Sequence, residues 1–291
     1  MSLLSSTLDL LTVIVSGFGS LVIVSLGLAI IFGMMEIINL AHGEFMMVGA
    51  YATAIAYTEG IPLIACILLG GVAAGVMGLV VERLVLQHLY ERPVDSMVAT
   101  WGLSLVLIQS VLIVFGPNFA GVDTPFGTVS YGAYSASAYQ LVLGGVAVAM
   151  LGVLYLIFHY TEYGLHARAT MQDAESARSL GIDTSRVYMI TFFIGSVVTG
   201  IAGGLFAPVI SIVPTLGSSF IIEAFVTVIV GGASVLLGVA SGGISLSVIN
   251  GVAAQGVGAL AGRVALLVTA ILIIRIYPDG LSDYLEGRLG W

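Results

Sequence analysis

YGLHARATMQDAESARSLGI, residues 163–182, interrupts an otherwise largely apolar chain. It is polar, and it carries Arg168 and Arg178, with Arg186 just beyond it. Apolar runs flank it at residues 139–160 and 187–213, each long enough to cross a bilayer, which needs about 20 apolar residues. A polar stretch between two spans stays in water, and its arginines place it on the cytoplasmic side. Working outward from it, the chain reads as an all-α, polytopic helical membrane protein.

Composition agrees. The 291 residues are 59% hydrophobic and 8% charged, whereas a soluble domain is about 25% charged. Thirty-eight glycines suit membrane helices that approach closely. A membrane barrel would alternate apolar and polar residues over ~10-residue strands, whereas these apolar runs are continuous. All eight basic residues are Arg, and the net charge is -8, so the chain is no nucleic-acid binder. Without Lys it cannot carry a standard P-loop, whose lysine reaches the nucleotide phosphates; ATP, if used, binds another subunit. Cys66 is the one cysteine, which excludes an intramolecular disulfide and a cysteine metal cluster. The first apolar run lacks a basic leader and is long enough to span, so no cleavable signal peptide is expected.

Apolar runs at residues 10–34, 45–57, 61–81, 98–115, 139–160, 187–213, 220–230, 244–257 and 264–276 predict eight or nine membrane segments, some broken or re-entrant. Arg83 and Arg92 lie in one connection (82–95), and Arg168, Arg178 and Arg186 in another (161–186); two spans separate them, so they share a side. The loop 116–138, with Asp123 its only charge, is then external. The tail 279–291 with Arg288 comes out cytoplasmic, and the N-terminus external. Helix breaks at Asn39–Gly43 and at Gly231–Gly232 echo each other as in transporters built from repeats, where broken helices form the substrate site.

Within 163–182, the residues from Leu165 suit a helix, which Gly181 stops. Leu165, Ala169 and Ala177 would face the membrane or a partner groove, and Arg168, Asp173 and Glu175 water. Physics alone allows an ordinary solvated loop. The pattern Gly164, Arg168-Ala169, Asp173, Ala177, Leu180-Gly181-Ile182, however, resembles the coupling region of permease subunits in ABC importers of the branched-chain amino acid and urea type. GLAIIFGMMEIINLAHGEFMMVGAY (27–51) is similar to that family's N-terminal signature, and EAFVTVIVGGASVLLGVASGG (223–243) to its C-terminal one. The resemblance implies one transmembrane permease domain over 1–291, with 161–186 as its cytoplasmic coupling segment. It also implies a homologous second permease subunit, two ATP-binding cassette subunits that carry ATP and magnesium, and a periplasmic or extracytoplasmic solute-binding protein. The setting is a bacterial or archaeal cytoplasmic membrane. No cofactor is expected on this chain.

RPVDSMVATWGLSLVL (92–107) looks like the urea-type subunits, which carry a similar Ala-Thr-Trp-Gly run, and these tend to have an acid at the position of Glu223. A carboxylate accepts from the N–H groups of urea or a short-chain amide and repels an amino acid's carboxylate. Urea or short amides are therefore the first expectation and branched-chain amino acids the alternative; Glu223 could instead pair with Arg263.

Asn39, His42 and Glu44 form a polar knot in an apolar half. Ionisable groups at membrane depth are costly and functional by default; the knot reads as a substrate gate, as a lock for the broken helix, or as interfacial hydrogen bonding. Thr100 and Trp101 open a span, where Trp is an interface anchor or stacks on a flat solute. Asn39, His42, Glu44, Thr100, Trp101 and Glu223 are the candidate path residues. His42 and Glu44 lack a third metal ligand, and the string lacks the second His of an H-E-x-x-H enzyme, so neither a metal site nor a catalytic residue is expected. A stand-alone channel or secondary transporter is the rival from another class; it would need paired acids within the spans.

Overall fold

The computed structural model describes residues 3–90, 92–131, 134–232, 234–278 and 280–284; Arg288 and the tail beyond Tyr284 lie outside them. Helices dominate. Among the described residues, seven are long and apolar enough to cross a membrane: α1 (Leu3–Met35), α3 (Leu63–Leu84), α4 (Pro93–Phe115), α5 (Ala138–Tyr160), α8 (Thr184–Phe206), α10 (Val235–Val257) and α11 (Ala259–Ile276). Two shorter helices accompany them, the apolar α9 (Ile221–Gly231) and the 17-residue α2 (His42–Thr58). The polar helices α6 (Glu162–Gln172) and α7 (Ala174–Ser179) follow α5.

The chain divides into two compact units. One comprises Leu26–Asp123 and Leu154–Ile222, and its centre is the packing of α2, α3 and α8. Glycine makes that packing possible. A Cβ on Gly70 would stand 2.5 Å from the Gly49 carbonyl oxygen, and one on Gly200 would stand 2.7 Å from that of Gly70. Backbones this close gain dispersion contacts, the main attraction between helices in lipid. Phe45 and Phe192 meet edge-on at 5.7 Å between ring centres in the same core.

The other unit comprises Met1–Ser25, Thr124–Val153 and Glu223–Trp291. Its apolar centre is Leu21, Val230, Leu246, Leu266 and Ala270. Gly19 of α1 lies against the Gly144 backbone of α5. Strands β1 (Thr128–Tyr131) and β2 (Tyr134–Ser137) pair antiparallel, Thr128 opposite Ser137 and Tyr131 opposite Tyr134.

Several boundaries depart from the sequence reading. The loop 116–138 holds that small hairpin. The span expected at 187–213 stops at Phe206, and Pro208, which has no N–H to continue a helix, follows its C-cap Ala207. Where an interruption was expected over 231–243, α9 ends at Gly231 and α10 begins at Val235, with Gly238, Gly242 and Gly243 inside it. They meet neighbouring backbone or side chains at contact distance; glycine breaks an isolated helix but serves as a packing surface in lipid. The single helix expected within 163–182 is two helices, parted at Asp173.

Candidate functional site

The first helix break comes at residues 36–41, immediately before Gly43, which lies in the first turn of α2 against the Gly217 backbone. Glu36 takes a left-handed φ of 53°. Asn39, fully buried, accepts through Oδ1 from Ala41 N at 3.0 Å, so it turns the chain into α2. Thr100 of α4 fastens the turn: its Oγ1 accepts from Leu40 N at 3.0 Å and donates to Ser96 O at 2.7 Å. His42, also buried, lies 3.5 Å from Thr199 Oγ1 through Nδ1. The structure thus brings Asn39, His42 and Thr100 together around one break.

Glu44 lies a turn into α2, 3% exposed. Ser104, halfway along α4, is its side-chain hydrogen-bond partner. Trp101, next to the buried Thr100, is 58% exposed on the outer side of α4. The acidic and polar residues that sequence reading missed are Ser104, Tyr51 and Glu82. The first two share a helix face with candidates already named: Thr100 and Ser104 are four apart on α4, and Glu44 and Tyr51 seven apart on α2.

In the other unit, Glu223 opens α9, and its Oε1 lies 3.7 Å from Arg263 Nη2 of α11. Gly231 ends α9, and Gly232, with φ of 92°, turns the chain toward α10. A cleft of about 370 Å³ in this unit is lined by Asp9, Thr12, Ser16 and Ser20 of α1, with Ser247 and Asn250 of α10. The three-to-four spacing of the α1 residues is the signal that could have found it.

The segment 161–186 is anchored on one face and open on the other. Thr161 caps α6 by accepting from Gly164 N at 3.1 Å. Gly164, Ala167 and Thr170 are buried. Tyr163 shares a 2.8 Å hydrogen bond with Thr191 of α8, and burial pushes its hydroxyl pKa up to about 12. Asp173 caps α7, accepting from Glu175 N at 2.9 Å and Ser176 N at 3.0 Å, with the Ser176 hydroxyl at 2.5 Å. These bonds, the Ser176 side chain first, hold its carboxyl below the usual aspartate range. Ala177 is buried, and Gly181, with φ of 89°, closes the helix: Ile182 N donates to Ala177 O and Gly181 N to Arg178 O. That is the paired bonding of a left-handed glycine stop. Arg178 reaches Thr184 at 3.3 Å. The opposite face presents Leu165, 59% exposed, and Leu180, 83% exposed, with Arg168, which has no ion-pair partner among the described residues. Ala169 is half-buried between the two faces.

A cavity of about 410 Å³ gathers Met35, Ile37, Tyr90, Arg92 and Asp173. The end of α1, the connection bearing Arg92 and the α6–α7 junction therefore share one end of their unit. Nearby, Tyr90 donates to Glu82, a carboxylate 1% exposed, and burial and that acid raise the tyrosine's pKa. The Tyr57–Asp123 hydrogen bond, 3.2 Å, marks the far end of α2. Among the described residues, no group of three His, Cys, Asp or Glu side chains could hold a metal ion.

The family described as branched-chain amino acid transport system / permease component matches residues 10–277. The chain is similar to the high-affinity branched-chain amino acid transport system permease protein LivH of Escherichia coli (strain K12), 24% identical over 89% of this chain and 90% of that one. It is similar to the probable branched-chain amino acid transport permease protein LivH of Methanocaldococcus jannaschii, 27% identical over 90% and 88%. It is also similar to the high-affinity branched-chain amino acid transport system permease protein BraD of Pseudomonas aeruginosa, 24% identical over 89% and 90%. No solved structure gives a significant match.

Proposed function

The chain belongs to the family of branched-chain amino acid transport system permease components, and from that premise we propose that it forms the membrane path for branched-chain amino acids in an ATP-driven ABC importer. The observation that carries the reading is the extent of similarity: relatives named as branched-chain amino acid permeases match along about nine-tenths of both chains. A homologous second permease subunit completes the membrane part. An extracytoplasmic solute-binding protein delivers the solute, and two ATPase subunits with magnesium and ATP drive it. The segment 161–186 is the lever: its buried face holds α8, and Leu165, Arg168 and Leu180 seat in an ATPase groove. The chain does no covalent chemistry.

Urea or a short-chain amide, first on the sequence reading, becomes the second reading. The run Ala99-Thr100-Trp101-Gly102 still favours it. Its electrostatic argument has weakened, because Glu223 lies 3.7 Å from the Arg263 guanidinium. A paired carboxylate does not repel an amino acid's carboxylate as an unpaired one would.

Purification of the chain with candidate partner subunits tests the class. Co-purifying ATPase subunits, and solute uptake that stops when they are omitted, are expected. Uptake undiminished by their omission would instead establish a channel or a secondary transporter.

A further inference from the structure

Two charges meet at membrane depth in the unit that holds α9 and α11: Glu223 in the first turn of α9 and Arg263 of α11, 3.7 Å apart. Helix rise gives their level. Arg263 stands about 18 Å along α11 from Arg275, which is in the last turn of that helix. Glu223 stands about 12 Å along α9 from Gly231, the last residue of α9. Gly232, next in the chain, lies against Gly280, which follows the end of α11. Both measures put the pair in the middle part of a hydrocarbon layer about 30 Å thick.

One face of α11 is packed and the other is bare. Gly262, Leu266 and Ala270 are buried. Gly262 lies against Asn250 and Ala254 of α10, and Leu266 and Ala270 belong to the apolar centre of the unit. On the other face Leu260, Leu267 and Ile271 are exposed, at helical spacings that put them in one stripe with Arg263. The Arg263 side chain is itself 74% exposed. Its contact with Glu223 is too long for a hydrogen bond, so its N–H groups have no acceptor among the described residues.

Three surroundings are open to such a stripe. Lipid offers a guanidinium no acceptor at this depth, and a charge there is costly. Snorkelling would carry the group to the surface, yet it lies toward Glu223. A water-filled path would be lined with polar groups along its length, whereas this stripe sets one charge among Leu260, Leu267 and Ile271. A neighbouring membrane helix meets both demands: it packs on the apolar residues and supplies one acceptor, because polar side chains bond between helices in lipid. A second copy of this chain would set the stripe against itself, bringing another guanidinium and no acceptor beyond the Glu223 each copy already uses. A homologous chain of different sequence is free to bring one.

We propose that the second permease subunit packs on this stripe of α11, with Arg263 donating across the interface to an acceptor on one of its helices. The proposal rests on the function above for the existence of that subunit. Glu223 is the counter-ion within the chain, and the partner's acceptor completes the satisfaction of the guanidinium.

The test uses the complete complex, both permeases with the ATPase subunits, in lipid nanodiscs. The photo-reactive residue benzoylphenylalanine replaces Leu267 or, as a control, Val148, which is exposed on α5. Position 267 should form an adduct with the second permease, and position 148 with lipid. Adducts of position 267 with lipid alone, or with a second copy of this chain, overturn the assignment. R263L, which a lipid-facing position would tolerate, should weaken retention of the second permease about tenfold or more, the worth of a hydrogen bond to a charged group. R263K should recover part of the loss, and E223Q should retain the second permease. Wild-type retention by R263L, or a loss with E223Q as large as with R263L, overturns the bond across the interface. The cross-linking arm decides even where R263L does not fold. A complex with ATPase subunits and no second permease overturns both this interface and the heteromer, and its subunit masses tell that failure from the others.

Discussion

Thr100 shows how one hydroxyl can hold a break in a membrane helix. The turn before α2 leaves Leu40 N without a helical acceptor, and unsatisfied backbone groups cost several kcal/mol in lipid. Thr100 Oγ1 supplies that acceptor at 3.0 Å and donates its own hydrogen bond to Ser96 O. Thr100→Val keeps the shape and removes the acceptor, so a loss of about 1–3 kcal/mol is expected, read as a lower unfolding midpoint in detergent; an unchanged midpoint would mean that the break is held by other contacts. Sequence reading singled out Thr100 as a path residue, and its bonding to the Asn39 turn could not be seen because sixty residues separate the two positions. Tyr163 gives a second test. Its pKa is raised from 10.0 to about 12, so the neutral hydroxyl is favoured in the folded state. The stabilisation is full below pH 10 and lost as pH rises toward 12. Tyr163→Phe should remove that alkaline loss of stability, and an unaltered alkaline unfolding profile would contradict it.

At the scale of elements, the polar segment 161–186 was legible in composition and illegible in detail. Arginine content and the flanking spans predicted a water-exposed segment, and Gly181 was read as a stop; the structure has it at φ 89° closing α7. The division at Asp173 was missed because Asp in a helix-forming run reads as a solvated surface charge. Its carboxylate instead takes two backbone N–H groups of the next turn, a cap that only geometry reveals. The face the segment offers is small: Leu165, Arg168 and Leu180 protrude, while Gly164, Ala167, Thr170 and Ala177 are buried. Arg168→Ala should therefore leave the permease folded and ATP turnover intact while reducing coupled uptake by about fivefold or more, the low end of ordinary coupling energies. Uptake at the wild-type rate per ATP would remove the lever.

The whole molecule was readable as a class: continuous apolar runs and scarce charge dictate membrane helices, and seven long helices with two short ones answer the eight or nine segments expected. Glycine obscured the boundaries. Read as a breaker it shortened α10, whereas Gly238, Gly242 and Gly243 give that helix its close neighbours. The substrate was less legible than the family, because the sequence left Glu223 either free in the path or paired with Arg263, and the structure has it 3.7 Å from that arginine. The proposed function is an ATP-driven path for branched-chain amino acids. Uptake by proteoliposomes holding the full complex and its binding protein, with labelled leucine against labelled urea, tests it most directly. ATP-dependent accumulation of leucine is the expected result; accumulation of urea without leucine would contradict the claim.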